Sequence, residues 1–70
     1  MHPTPSAIRS DLTYSTRQLA EALSLSPRTL EGWRQERRGP PFHRVSTRTV
    51  RYTGADVIAW LASHRHNDID

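Results

Sequence analysis

Apolar side chains recur at helical spacing in three stretches of the chain. Leucine and alanine share one face over about residues 16–23, and leucine and tryptophan do so over about 27–37. A third and broader apolar face covers about 54–64, with four apolar side chains: Val57, Ile58, Trp60 and Leu61. The pattern therefore predicts three short helices, separated by one tight turn and one longer connection.

A capping pattern marks the start of each predicted helix. A hydroxyl side chain can accept from the first turn in each case, at Ser15, Ser26 and Thr53. Gln18 completes a capping box at the first helix, Pro27 holds the first position of the second, and Asp56 holds the box position of the third. An apolar residue before each cap can staple to one in the helix: Tyr14 to Leu19, Leu25 to Leu30, and Tyr52 to Val57.

The second helix is expected to stop at Gly39 in a left-handed cap, because two prolines follow it. Its tryptophan, Trp33, and Trp60 of the third helix both lie on apolar faces. Core packing is the favoured interpretation of both, and stacking on nucleic-acid bases is the alternative.

A β-hairpin is predicted between the second and third helices. Its strands run over about His43–Val45 and Thr49–Tyr52, where valine, threonine and aromatic residues alternate with arginine. The turn at Ser46, Thr47 and Arg48 lacks the glycine that tight hairpins prefer. Because an isolated hairpin is marginally stable, these strands are expected to pack on the helices.

The chain organisation follows from these elements. Residues 1–11 are expected to form a flexible N-terminal arm, 12–65 the folded domain, and 66–70 an acidic C-terminal tail. A length of 70 residues allows one small core and no deep substrate cleft, so an enzyme is not expected. There is no cysteine and no stretch typical of a membrane span or signal peptide, so a cytoplasmic protein without cofactors is expected.

Charge is concentrated in the middle of the chain. All 10 basic residues are arginine, and seven of them lie between Arg28 and Arg51 with only two acids, Glu31 and Glu36. Codon bias explains the absence of lysine, but the clustering indicates a polyanionic partner. His64 and His66, with Asp68 and Asp70, resemble a loose metal site; a solvated helix end is the favoured interpretation, and no metal site is predicted.

Two short helices separated by three residues have the spacing of a helix-turn-helix motif. Ala20 is the small residue that lets the helices cross closely, Ser24 holds the turn position, and Leu25 is the apolar turn residue. Ser24 must then accept a positive φ, where glycine is commonest. The second helix is expected to enter a DNA major groove.

The outer face of that second helix carries the candidate base contacts: Arg28, Thr29, Glu31, Gly32 and Gln35. Arg28 can pair with guanine and Gln35 with adenine, whereas Gly32 lets the backbone approach DNA closely. Glu31 can accept from a cytosine amino group; a local pair with Arg28 or Arg34 is the favoured alternative.

Two further sets of residues are expected to reach the DNA backbone and the adjacent minor groove. The backbone set is Thr16, Arg17 and Arg34, and the hairpin set is Arg44, Thr47, Arg48 and Arg51. Each arginine taken singly also fits a solvated surface, but the set on one side of a helix-turn-helix favours DNA contact.

The stretch from Leu12 to Arg65 resembles the excisionase-type, MerR-like winged helix-turn-helix family. The resemblance lies in TRQLAEALSLSPRTLEGWR, in RGPPFHRV, in VRY and in ADVIAWL, although this family usually has glycine at the hairpin turn. It implies a mostly α fold with a small β-hairpin, the wing, between helices two and three. It also carries Arg28, Thr29 and Gln35 to the groove helix and Arg48 and Arg51 to the wing.

The function expected from the resemblance is that of a recombination directionality factor. Such a protein binds repeated DNA sites cooperatively, bends the DNA and directs a site-specific integrase toward excision. Its expected partners are double-stranded DNA, an integrase and adjacent copies of itself, which the acidic tail or the arm is expected to contact. A promoter-bound transcription regulator of AlpA type and a protein-interaction adaptor are the alternatives.

Overall fold

The computed structural model describes residues 8–64 and contains three helices and three strands in that range. In chain order they are β1 (Thr13–Tyr14), α1 (Thr16–Leu23), α2 (Pro27–Gln35), β2 (His43–Ser46), β3 (Thr49–Thr53) and α3 (Gly54–Ser63). The predicted fold class, a winged helix-turn-helix with its wing between the second and third helices, is confirmed.

All three predicted N-caps are present. The Ser15 hydroxyl accepts from the backbone N–H of Gln18, and the Gln18 side chain accepts from the Ser15 backbone, which completes the capping box of α1. Ser26 and Thr53 accept in the same way from the third residue of α2 and of α3. Because these bonds are local, each helix start is set by a few adjacent residues.

Helix α2 ends earlier than predicted. Its last residue is Gln35, and the left-handed residue that terminates it is Arg37 at φ 60°, not Gly39. The backbone N–H of Arg38 donates to the Trp33 carbonyl at 2.8 Å, and that of Arg37 donates to the Arg34 carbonyl at 3.2 Å, a Schellman ending. Gly39 has a φ of 88° and packs against Trp33, where a Cβ would come within 2.9 Å of the ring.

Helix α1 ends in the same way, with Ser24 at φ 60° as its left-handed residue. The backbone N–H of Leu25 donates to the Ala20 carbonyl at 2.8 Å, and that of Ser24 donates to the Glu21 carbonyl at 3.2 Å. This ending reverses the chain within three residues and fixes the angle at which α2 leaves α1. The predicted positive φ at Ser24 is therefore confirmed.

Replacing Ser24 with glycine is expected to stabilise the domain by about 0.5–1 kcal/mol, because glycine adopts the left-handed conformation without a Cβ penalty. Equilibrium unfolding in urea measures the change. Ser24→Ala is the control, since it removes the hydroxyl but keeps the Cβ, and it should not stabilise. A glycine variant no more stable than the wild type would show that this turn carries no strain.

A third strand supports the wing, which the sequence pattern did not predict. Strand β3 lies in the middle of the sheet, with β1 and β2 antiparallel on either side. Thr13 pairs with Thr53 and Tyr14 with Tyr52, so the segment before α1 completes the sheet. The wing is thereby attached to the helices through β3 instead of standing as an isolated hairpin.

The first residue that the structure describes lies within residues 1–11, the predicted N-terminal arm, but it packs against the rest of the domain. Ile8 is buried in the core, and the Leu12 carbonyl accepts from the backbone N–H of Gly54 at 2.8 Å. A Cβ at Gly54 would overlap the Arg9 carbonyl, so glycine lets this segment lie against the start of α3. Residues 1–7, and 66–70 of the predicted tail, lie outside the described residues.

The core joins the helix pair to the sheet. Its buried members are Ile8, Leu19, Ala20, Leu30, Val50, Tyr52 and Val57. The predicted broad apolar face of α3 is only partly covered: Val57 is buried, Trp60 is half-buried, and Ile58 and Leu61 are exposed. The face is partly exposed because β3 and the segment before β1 cover only the beginning of α3. Farther along the helix, Trp60 meets the half-buried Trp33 at a ring separation of 5.7 Å.

The wing turn contains two residues, Thr47 and Arg48, with Ser46 paired to Thr49 across it. In the described chain, positive φ occurs at Ser24, Arg37 and Gly39, so neither turn residue is left-handed. The register shifts between Arg44 and Ser46, where the extra residue Val45 bends the strand. This bulge closes the wing without the glycine that a primed turn requires.

Candidate nucleic-acid interface

Helix α2 packs against α1 through apolar contacts at the turn. Leu19 and Ala20 of α1 and Leu30 of α2 are buried, and Leu25 packs against them. The small Ala20 side chain lets the two helices approach closely, as the spacing predicts. The opposite face of α2 remains free to contact a ligand, and α2 is hereafter the recognition helix.

The recognition helix exposes the side chains expected to contact bases. Arg28, Glu31 and Gln35 are exposed, and a Cβ built on Gly32 meets no atom within 4 Å. Gly32 therefore leaves an open site on the helix surface among three polar side chains. Thr29 is half-buried at the helix start, where its hydroxyl lies 3.4 Å from that of Ser26, so it sits at the edge of this face.

The local ion pair expected for Glu31 is not present. Within residues 8–64, ion pairs join Arg9 to Asp11 and Arg38 to Glu36, and the His43 ring lies 3.6 Å from an Asp56 carboxylate oxygen; none of these contacts includes Glu31. The Glu31 carboxylate is exposed instead and lines two adjoining surface depressions. The favoured prediction of a pair with Arg28 or Arg34 was therefore wrong.

Two depressions between the recognition helix and the wing bring most of the predicted contact residues together. The first is lined by Glu31, Arg34, Gln35 and Arg44. The second lies where the starts of α1 and α2 meet the wing, and its lining includes Thr16, Arg17, Glu31, Arg34, Arg48 and Arg51. Four arginines face one acid in this second depression, so its electrostatic field favours an anion.

The chain matches the family model described as a helix-turn-helix domain over residues 13–65, which is more than half of its length. The chain belongs to this helix-turn-helix family. No curated protein and no solved structure matches it. Membership supports sequence-specific binding of DNA, and the matched range contains both the recognition helix and the wing.

In this helix-turn-helix domain, the Phe42 ring contacts the side chains of two arginines that are predicted to bind DNA. The guanidinium carbons of Arg34 and Arg44 lie 5.6 and 5.7 Å from the centre of the Phe42 ring. Cation–π contacts of this kind contribute about 0.5–1 kcal/mol at exposed sites. Phe42, which directly precedes the first strand of the wing, thus keeps two positively charged side chains beside the recognition helix.

The wing arginines differ in how the domain holds them. Arg51 donates to the Val50 carbonyl at 2.9 Å, and Arg44 donates to the Thr47 carbonyl at 3.4 Å. Arg48 stands at the turn, and its side chain has no hydrogen bond to any other described residue. Arg51 and Arg44 are therefore partly pre-positioned, whereas Arg48 is free to adapt to a ligand.

Arg34 and Thr16, both predicted to contact the DNA backbone, also form a hydrogen bond with each other. Arg34 Nη1 donates to the Thr16 hydroxyl at 3.1 Å and to the Tyr52 hydroxyl at 2.7 Å. The sequence pattern missed Tyr52 as a partner, because residues 18 positions apart carry no local signal of contact. It also missed the contribution of Phe42 to this cluster.

Two other expectations concern the surface away from this interface. Within the described chain, no group of three or more histidine, aspartate and glutamate residues is arranged to hold a metal, and the tail residues of the His64 cluster lie outside it. The centre of the His64 ring lies 4.6 Å from that of Trp60 at the end of α3, with the two rings tilted by 34°. No helix in residues 8–64 has the length and apolar content to cross a bilayer.

Proposed function

We propose that this protein binds duplex DNA with the recognition helix in a major groove and the wing at the adjacent minor groove. The observation that supports it best is the shared surface: Arg28, Gln35 and the open Gly32 lie on one helix face, and the wing arginines flank it. A helix fits the major groove, and arginine and glutamine have the donor patterns that read guanine and adenine there.

The arginine-lined depression supports a defined place for the DNA backbone. Arg17, Arg48 and Arg51 contribute charge there, and the starts of two helices adjoin it. Backbone N–H groups at a helix start favour anions, which adds to the field of the arginines. A DNA phosphate between α1 and the wing would fix the register in which the recognition helix meets the bases.

We propose further that the protein acts as an excisionase, a recombination directionality factor. The resemblance of its helix pair, wing entry and last helix to that family supports this role. A single small module makes a modest DNA contact of about 600–1,000 Å², so useful affinity requires several copies on neighbouring sites. Cooperative binding to repeats bends DNA, and bending of that kind assists an integrase in excision.

Footprinting tests both levels of the proposal. The purified full chain selects fragments from the genomic DNA of its host, and nuclease protection then maps the bound sites. Several directly repeated sites beside a recombination attachment site support the excisionase role. Protection confined to one promoter supports a transcription regulator instead, and contradicts the excisionase role.

The salt dependence of affinity separates DNA binding from a protein-adaptor role. The logarithm of the binding constant should fall linearly with the logarithm of salt concentration, with a slope of about −0.9 per neutralised phosphate. Absence of selective protection even at low salt would contradict sequence-specific DNA binding and favour the adaptor.

A further inference from the structure

One guanidinium joins the recognition helix to the two elements beside it. Arg34 donates through Nη1 to Thr16, the first residue of α1, and to Tyr52 in the central strand β3. Its guanidinium carbon also lies over the ring of Phe42, which leads into the wing. Arg34 therefore touches α1, the wing strand β3 and the residue that precedes the first strand of the wing.

Tyr52 is the rigid member of this set. It is 1% exposed and belongs to both the core and the sheet, and its hydroxyl accepts the shorter of the two bonds, at 2.7 Å. A charged donor makes a stronger hydrogen bond than a neutral one, and a close-packed core allows little movement of the acceptor. The two bonds use both N–H groups of Nη1, so that nitrogen has no N–H left for a phosphate.

We propose that Arg34 is a positioning residue, which holds the recognition helix and the wing at one mutual angle through the two hydrogen bonds of Nη1. This inference rests on the proposed DNA-binding function. Two surfaces that must enter two grooves of one duplex bind best when their relative orientation is already correct. It gives Arg34 and Thr16 a different role from the backbone contacts that the sequence predicts for them.

The substitution Tyr52→Phe tests the proposal in the full chain. It removes one hydroxyl from a buried residue and changes no charge. Binding to the selected site, measured by fluorescence anisotropy over a range of salt concentrations, should weaken about fivefold, as expected for loss of one coupled contact. The slope against salt should not change, because no phosphate contact is lost.

The alternative role for Arg34, binding of a phosphate, predicts a different effect of Tyr52→Phe on affinity. If Arg34 acts only as a phosphate ligand, loss of the Tyr52 hydroxyl frees one N–H of Nη1 for that contact, and affinity stays the same or rises. Either result would overturn the proposal. Circular dichroism establishes the temperature at which both proteins are fully folded, and all binding is measured there.

A double-substitution cycle shows whether Tyr52 acts through Arg34. In an Arg34→Met background, Tyr52→Phe should have no further effect on affinity, since the hydrogen bond is already absent. An equal loss in both backgrounds would show that Tyr52 acts independently and would overturn the proposal.

A measurement without DNA separates failure of this inference from failure of the proposed function. Residual dipolar couplings report the orientation of the recognition helix relative to the wing in the free protein. The Tyr52→Phe variant should show a broader range of orientations than the wild type. Unchanged couplings would overturn the positioning role, whereas a wild type that binds no duplex DNA would overturn the proposed function instead.

Discussion

Replacing Arg28 with alanine is expected to abolish most of the sequence preference of this protein while leaving its binding to random duplex DNA nearly unchanged. Arg28 is exposed on the face of the recognition helix that carries Gln35, and its side chain has no hydrogen bond or ion pair to another residue in the described chain. A bidentate arginine–guanine contact contributes about 1–3 kcal/mol of discrimination. The ratio of affinities for the selected site and a shuffled site should therefore fall by about 5- to 150-fold.

Arg48→Ala is the matched comparison, because it removes the same side chain from the wing turn. It should weaken binding to both DNAs by a similar factor, and it should make the salt slope shallower by about 0.9 if one phosphate contact is lost. Arg9→Gln is the control for charge alone, since Arg9 pairs with Asp11 in the segment before β1. Equal changes in discrimination for Arg28→Ala and Arg48→Ala would contradict the separate roles assigned to helix and wing.

Local chemistry explains which parts of the fold could be predicted from the sequence. The hydroxyl caps at Ser15, Ser26 and Thr53 bond to residues three positions away, so each helix start is encoded by adjacent residues. The positive φ at Ser24 follows from the spacing of two helices around a three-residue turn. The prediction for the end of α2 was wrong because it placed the terminating left-handed residue at Gly39, whereas Arg37 adopts that conformation two residues earlier.

The features that could not be predicted depend on contacts between distant parts of the chain. Strand β1 contains two residues, too few for a periodic pattern, and exists because Tyr14 pairs with Tyr52. Partial exposure of α3 depends on how far the sheet extends, which no pattern within the helix records. The bond between Arg34 and Tyr52 is of the same kind, and the predicted site therefore included Arg34 without its partner.

The contact surface could be predicted from the helical period and the order of the elements alone. About 100° per residue places Arg28, Glu31 and Gln35 away from the apolar side formed by Leu30 and Trp33, and the structure leaves those three exposed while Leu30 is buried. Their DNA contacts stay a prediction. The hydrogen bonds that orient Arg34, Arg44 and Arg51 depend on the close approach of wing and helix, so only the structure distinguishes held arginines from free ones.

Replacing Gly32 with alanine is expected to make the protein more stable and, at the same time, a weaker DNA binder. Glycine inside a helix is about 0.8–1 kcal/mol less favourable than alanine, and the added Cβ meets no atom within 4 Å. The melting temperature should therefore rise by roughly 4–8 °C. If DNA approaches the helix backbone at this open site, the same methyl group overpacks the interface by about 1–3 kcal/mol, and affinity for the selected site should fall about tenfold.

Opposite signs for stability and affinity distinguish a direct effect on the interface from an effect on folding, because destabilisation cannot weaken binding in a protein that has become more stable. Ser24→Gly is the control, since it should stabilise the domain by a similar amount at a turn outside the recognition face and should leave DNA affinity at the wild-type value. If Gly32→Ala raises the melting temperature and binds the site as tightly as the wild type, the DNA does not come within reach of a methyl group at Gly32. In that case any contact made by this face is through the long side chains of Arg28 and Gln35, and the Arg28→Ala measurement decides whether the face enters the groove.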